Sequence, residues 1–249
     1  MLDILYNDGA VVAVAKPSGL LVHRSGEATD RVTCMTILRD QLGARVYPAH
    51  RLDRGTSGVL LFSLDSATAR LLAEGFLNRL ITKEYLTVTR GYAPPSGTID
   101  YPLAEEPGDE AVEAITRFRT LAQVELPLAV GRYPTARYSL LLCEPLTGRR
   151  HQIRRHMAHL RHPIIGDIVH GEGRHNRLFR DELGVRRLLL HAWRLEMPHP
   201  HGGRLALEAP PPEELRALFE RLGWGDALPE RQLPAMLPAR AIDAIRSDS

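Results

Sequence analysis

The chain has 249 residues, 44% hydrophobic and 25% charged, the values of an ordinary globular protein that needs no disulfide or metal staples. Its two cysteines, Cys34 and Cys143, form no CxxC pattern, which excludes a disulfide framework and a Cys-rich metal site and fits a reducing compartment. The formal charge of +2 is too small to signal nucleic acid by itself. With no signal-peptide start and no apolar run of membrane-spanning length, the chain is expected in the cytoplasm.

In chain order, residues 4–6 and 11–15 read as strands around the Asn7-Asp8-Gly9 turn. Lys16-Pro17-Ser18-Gly19 is a turn, followed by the apolar run 20–22. Thr33 is placed to cap a helix that Gly43 ends. Residues 59–64 read as a strand, and Ser66 as the cap of a helix carrying Leu71, Leu72 and Phe76. Strands are expected at 84–90, 137–143 and 187–197, and helices at 150–161 and 211–222, the second opened by prolines. No repeat or Ser/Gly linker divides the chain. One domain is expected over 1–225, with 226–249 a Pro- and Arg-containing tail packing little. Strands and helices mix without regular βαβ order, so the expected class is α+β with a mixed, mostly antiparallel sheet flanked by helices.

Charge is distributed unevenly. Of the 32 basic residues 30 are Arg; the two lysines, Lys16 and Lys83, mark places where an ammonium matters. Residues 91–116 hold six acids and no Arg or Lys, whereas 149–166 hold five Arg and four His. One face is therefore expected to be cationic. On a helix over 150–161, Arg150 and Arg154 would share one side, as would His151 and Arg155, a ridge suited to phosphates. His156, His159 and His162 lack the spacing of a metal site, and the neighbouring arginines would repel a dication, so no metal is expected.

The densest stretch is Ala49-His50-Arg51-Leu52-Asp53-Arg54-Gly55-Thr56-Ser57-Gly58, a single carboxylate among guanidinium groups running into an apolar strand. Neighbouring cations favour the charged form of a carboxylate, leaving it fit to act as nucleophile or base, or simply to cap turn amides. This stretch resembles the signature of the RluA family of RNA pseudouridine synthases. Further segments resemble that family in the same order: Lys16-Pro17-Ser18-Gly19 with His23, Lys83-Glu84-Tyr85, Gly148-Arg149-Arg150-His151-Gln152-Ile153-Arg154-Arg155-His156, Pro163-Ile164-Ile165-Gly166-Asp167 and Leu190-His191-Ala192. The resemblance spans about residues 3–222. It departs from the wider family at Arg155, where an aliphatic residue is usual, and in showing no RNA-binding module before Met1.

The resemblance implies isomerisation of uridine to pseudouridine in structured RNA, with no cofactor. It implies Asp53 as the catalytic carboxylate, Arg154 as its ion-pair partner, and Tyr85 stacking on a flipped uracil and sharing in proton transfer at C5. Arg51 would fill the vacated stack and Leu190 would wall the pocket. His50, Arg150, Arg155, Lys16 and Lys83 are the remaining candidates for substrate contact. The run 159–167 looks most like the tRNA-modifying branch that acts at uridine 65 in the acceptor–T-stem region. Ribosomal RNA is the alternative substrate, and a non-catalytic RNA-binding protein the rival of another class. A monomer is favoured.

Overall fold

Two apolar faces on every central strand dictate the layering. In the computed structural model, which describes residues 1–24, 32–106 and 108–230, Val12, Val14, Leu60 and Phe62 bury one face of the first strands against Cys34 and Leu38. Their neighbours Val11, Ala13, Val59 and Leu61 bury the opposite face against Leu72, Met197 and Leu207. Each such Val, Leu, Phe or Met side chain contributes about 1.5–3 kcal/mol on leaving water.

Ten strands occur among the described residues: β1 (Asp3–Asn7), β2 (Val11–Lys16), β3 (Tyr47–Pro48), β4 (Ser57–Ser63), β5 (Thr82–Arg90), β6 (Ser96–Asp100), β7 (Ile115–Leu126), β8 (Ala136–Pro145), β9 (Leu190–Pro198) and β10 (Arg204–Glu208). They form one sheet in the order β1-β2-β4-β9-β5-β8-β7-β6, with β10 beside β9 and β3 beside β4. Every pairing is antiparallel except β4 with β9, which is parallel and only two residues deep: Ser57 lies opposite His191 and Gly58 opposite Ala192. Gly58 has φ +117°, and a Cβ there would stand 2.0 Å from the Ala192 carbonyl oxygen, so this junction admits only glycine. The expected class, α+β with a mixed, mostly antiparallel sheet, is the one observed.

Among the described residues five α-helices flank the sheet: α1 (Cys34–Leu42), α2 (Ser66–Leu77), α3 (Gln152–His159), α4 (Gly173–Glu182) and α5 (Glu213–Arg221). Thr33 caps α1 in a capping box and Gly43 ends it in the left-handed region, both as expected. The cap of α2 is Asp65 rather than Ser66; its Oδ1 accepts from Thr68 N at 2.8 Å and its Oδ2 from Thr68 Oγ1 at 2.7 Å. Among the described residues no helix is long and apolar enough to cross a membrane.

Two long elements escape the sequence pattern. In β7 the inward positions include Thr116, which breaks the apolar alternation because its hydroxyl serves His156 and Gln152 instead. In α4 only Leu178 and Phe179 are buried, adjacent residues that make no helical stripe. At the C-terminal end, the packed chain continues past the expected boundary at 225. Ala227 and Leu228 lie on the core, and Arg194 donates to the Pro229 carbonyl at 3.1 Å. The rest of the expected tail, 231–249, lies outside the described residues.

Candidate active site

The site begins at the turn that feeds β4. Thr56 N–H donates to the Asp53 carbonyl at 3.0 Å, and the loop delivers the Asp53 side chain, 21% exposed, to a cavity of about 660 Å³. The cavity lies between the end of α2 and the start of α3. Asp53, Tyr85, Leu190, His151 and Arg154 share its walls, so residues from 53 to 190 converge there.

Arg154 organises the polar side of this cavity. Its Nε and Nη2 donate to Asp167 Oδ2 and Oδ1 at 2.7 and 2.8 Å, a two-bonded fork, while Nη1 donates to Asp53 Oδ2 at 3.0 Å. Planar guanidinium geometry makes that three-way arrangement available to Arg and denies it to Lys. The Arg154 side chain is 9% exposed and that of Asp167 is 1% exposed. Burial would lower the Arg154 pKa, but the two carboxylates more than reverse this. Burial would likewise raise the Asp167 carboxyl; the Arg154 fork and the backbone N–H groups of His170 and Val169 hold it below the ordinary range.

The sequence quoted Asp167 only as part of a turn and gave it no role, yet it is the principal partner of Arg154. His151 was read only as part of a phosphate-facing ridge with Arg155, and the structure turns it into the cavity instead. It occupies the left-handed region (φ 53°, ψ 26°) at the cap of α3 without using its side chain as a cap. Gln152 holds the turn: its Oε1 accepts from Thr147 Oγ1 and Arg149 N, and its Nε2 donates to the Ile115 carbonyl and Thr116 Oγ1. The His151 imidazole thereby stands between two groups, with Nε2 at 3.9 Å from Asp53 Oδ2 and Nδ1 at 3.1 Å from His170 Nε2.

Tyr85 projects from β5 between two apolar clusters, and Leu190 opens β9 beside it. Burial, with the nearby Asp53 charge adding to it, pushes the Tyr85 hydroxyl well above its usual range, so the phenol keeps its proton. Lys83 also lines the cavity, with Nζ 6.0 Å from the Phe76 ring centre, and burial lowers its pKa. Arg51 is exposed at the rim.

Three of the expected contact residues have partners within the protein. Lys16 is 1% exposed and lies beneath the loop rather than in the cavity, where Nζ donates to the carbonyls of Pro17 (2.8 Å), Leu20 (2.7 Å) and Arg54 (3.2 Å). Those bonds join the 17–20 turn to the Asp53 loop. His50 lines the cavity, but its Nε2 accepts from Leu61 N at 3.1 Å, and burial depresses its pKa to about 3, so it stays neutral. Arg155 does not line the cavity; its Nη1 donates to the Ala104 carbonyl at 2.7 Å.

The expected cationic ridge is also corrected. Helix α3 starts at Gln152, so Arg150 lies before it and shares no helical face with Arg154. The acidic segment packs onto the start of the basic one, where Glu106 pairs with Arg150 and the Glu113 carbonyl accepts from Arg149 Nε, while the Glu113 side chain pairs with Arg79 after α2. Charges separated along the chain meet in space. Among the described residues no three His, Cys, Asp or Glu groups converge to hold a metal ion.

The family model for RNA pseudouridylate synthase matches residues 10–159, well over half of the chain. The chain belongs to that family. Relatives within it include proteins named tRNA pseudouridine synthase C from Yersinia pestis, 48% identical over 92% of this chain and 94% of the relative, and from Vibrio cholerae, 46% identical over 92% and 98%. A Pectobacterium carotovorum protein of the same name is 48% identical, and the chain spans 64% of its length. Among solved structures, human RNA pseudouridylate synthase domain containing 4 is similar, with TM-score 0.69 and 25% identity over 89% of this chain and 93% of that one. Human RNA pseudouridylate synthase domain containing 1 shares the fold, with TM-score 0.70 and 24% identity over 99% and 95%.

Proposed function

We propose that this pseudouridylate synthase isomerises uridine in tRNA, at the uridine-65 position of the acceptor–T-stem region, through Asp53. The observation that carries the reading is the partly exposed Asp53 carboxylate, held by the Arg154–Asp167 fork at one wall of a cavity that Tyr85 and Leu190 close. Pseudouridine formation breaks N1–C1′ and forms C5–C1′, while C5 loses a proton and N1 gains one. The exchange is redox-neutral and downhill enough to need no nucleotide. It does need one anionic group at a flipped base, and Asp53 is that group.

The other roles follow from the surroundings. Arg154 fixes the Asp53 carboxylate through the 3.0 Å bond from Nη1, and an oriented charge acts with little reorganisation. Tyr85 stacks on the uracil, whose extrusion from a stem costs a few kcal/mol. Leu190 packs on the ring edge. Arg51, exposed at the rim, takes the place the base leaves in the stack, and Lys83 and Arg150 meet the RNA anion. The choice of tRNA is supported by the names of the relatives, which match nearly the whole chain. Two buried, unpaired cysteines and a tRNA substrate both suit the cytoplasm.

Asp53→Asn tests the reading, because it keeps shape and removes charge. With unmodified tRNA transcripts labelled with tritium at uridine C5, wild type should release tritium and the variant should not, while both bind tRNA alike. Release from D53N near the wild-type rate would overturn the role of Asp53. Modification of ribosomal RNA with tRNA untouched would overturn the choice of substrate.

A further inference from the structure

The geometry points to His151 as the general base that takes the C5 proton of the target uridine, with His170 positioning its ring. This rests on the proposed pseudouridine chemistry and supplies a step that Asp53 and Tyr85 leave open. Whatever the order of glycosidic steps, C5 must release a proton once it carries C1′. The C5–H electron pair then returns to the ring as the C5–C6 double bond. The proton goes to His151 Nε2 and onward to solvent, and N1 takes a proton from solvent.

Three observations single out His151. It lines the same cavity wall as Asp53, with Nε2 3.9 Å from Asp53 Oδ2. That distance is too long for a closed hydrogen bond and leaves Nε2 open to a substrate atom that Asp53 also addresses. Its backbone sits in the left-handed region, a conformation that costs a non-glycine residue about 1 kcal/mol or more, and the Gln152 network holds it there. And the 3.1 Å contact of Nδ1 with His170 Nε2 suits the tautomer in which Nδ1–H donates to His170, leaving Nε2 bare.

The charged groups acting on His151 are Asp53 from the loop before β4, Arg154 and Arg150 from α3 and its preceding turn, and His170 from the loop after Asp167. Burial leads and lowers its pKa, as do Arg154, His170 and Arg150, while Asp53 opposes them. The ring is therefore neutral near pH 7 and able to accept a proton. The imidazolium that results lies beside the Asp53 carboxylate, which stabilises it. Burial and the Asp53 charge raise the Tyr85 pKa, which disfavours an ionised phenol there.

The test is single-turnover pseudouridine formation on tRNA transcripts carrying protium or deuterium at C5. His151→Asn is the variant of choice: Asn tolerates the left-handed region and has no basic nitrogen. His151→Gln is the second variant, and melting curves and tRNA binding establish that both fold and bind. Positioned general bases contribute about 10²–10⁴-fold, so both variants should slow by about 10²-fold or more and show a larger C5 isotope effect than wild type. Wild-type rate should fall as acid protonates His151, a limb the variants lose and His170→Phe shifts. Slowed variants with the wild-type isotope effect and an unchanged acid limb would overturn the base assignment. A wild type forming no pseudouridine would overturn the functional reading instead.

Discussion

Asp167→Asn separates the support of the site from its chemistry. The substitution keeps volume and one acceptor oxygen, so the bonds from Val169 N and His170 N to Oδ1 survive. It removes the negative charge from a side chain that is 1% exposed and turns Oδ2, which takes the 2.7 Å bond from Arg154 Nε, into an amide nitrogen facing a donor. Breaking a buried ion pair at one partner costs about 3–5 kcal/mol, and the retained bonds together with Asp53 reduce this to about 2–4 kcal/mol. For a chain of this size about 2–4 °C of Tm follows each kcal/mol, so melting should fall by about 4–16 °C. Arg154 would then move toward its remaining carboxylate. A displacement of about 1 Å at a catalytic constellation costs on the order of 10²-fold in rate. Circular-dichroism melting and single-turnover pseudouridine formation measure the two effects, with tRNA binding as the control. A variant that melts with wild type and turns over at the wild-type rate would refute the view that Asp167 anchors Arg154. The sign with pH follows: the folded Asp167 pKa is depressed, so its contribution is present above the unfolded carboxylate value and is lost as pH falls through the folded one.

Glu106→Gln should free Arg150, tightening tRNA binding and steepening its salt dependence by up to about one counter-ion; titrations at several salt concentrations would show no change if the pair were irrelevant to RNA. Lys16→Met should leave three loop carbonyls without their donor and lower stability by about 2–4 kcal/mol in urea melts, whereas a loss confined to RNA affinity would restore Lys16 as a substrate contact. His191 is buried and accepts from Ser57 at Nδ1 while donating to the Ala209 carbonyl, and burial lowers its pKa to about 4. The unfolded chain binds the proton first, near pH 6.5, so stability should decline from there toward pH 4, and His191→Gln should flatten that decline.

More of the cavity wall than of the fold was legible in the sequence. Asp53, Tyr85, Arg154 and Leu190 carry motif identities that survive any register error, and all four line one cavity. Lys16 carried an equally clear motif, but whether an ammonium faces a ligand or three carbonyls depends on loop geometry that no spacing expresses. The supposed cationic ridge failed for a related reason: the acids between β6 and β7 return to the start of α3, and only tertiary contact brings Glu106 to Arg150. His151 was placed on the ridge rather than in the cavity because its position depends on a left-handed backbone that its own identity does not announce. Among the elements, β7 and α4 were missed where buried polar groups or a narrow apolar contact replaced the expected period.

The two-residue junction between β4 and β9 also has a kinetic consequence. Strands β1 to β4 come from residues 3–63 and the remaining six from residues 82–208, so each side of the junction is contiguous in sequence and built largely of antiparallel neighbours. Hairpin pairs such as β1–β2, β7–β8 and β9–β10 form within about 1–10 μs, whereas pairings across long chain separations, β5–β9 and β4–β9 among them, come late. Asp53 and Arg154 are 101 residues apart and lie on opposite sides of the junction. During refolding, far-UV ellipticity should therefore return ahead of pseudouridine formation, with the lag set by how quickly Gly58 seats against Ala192.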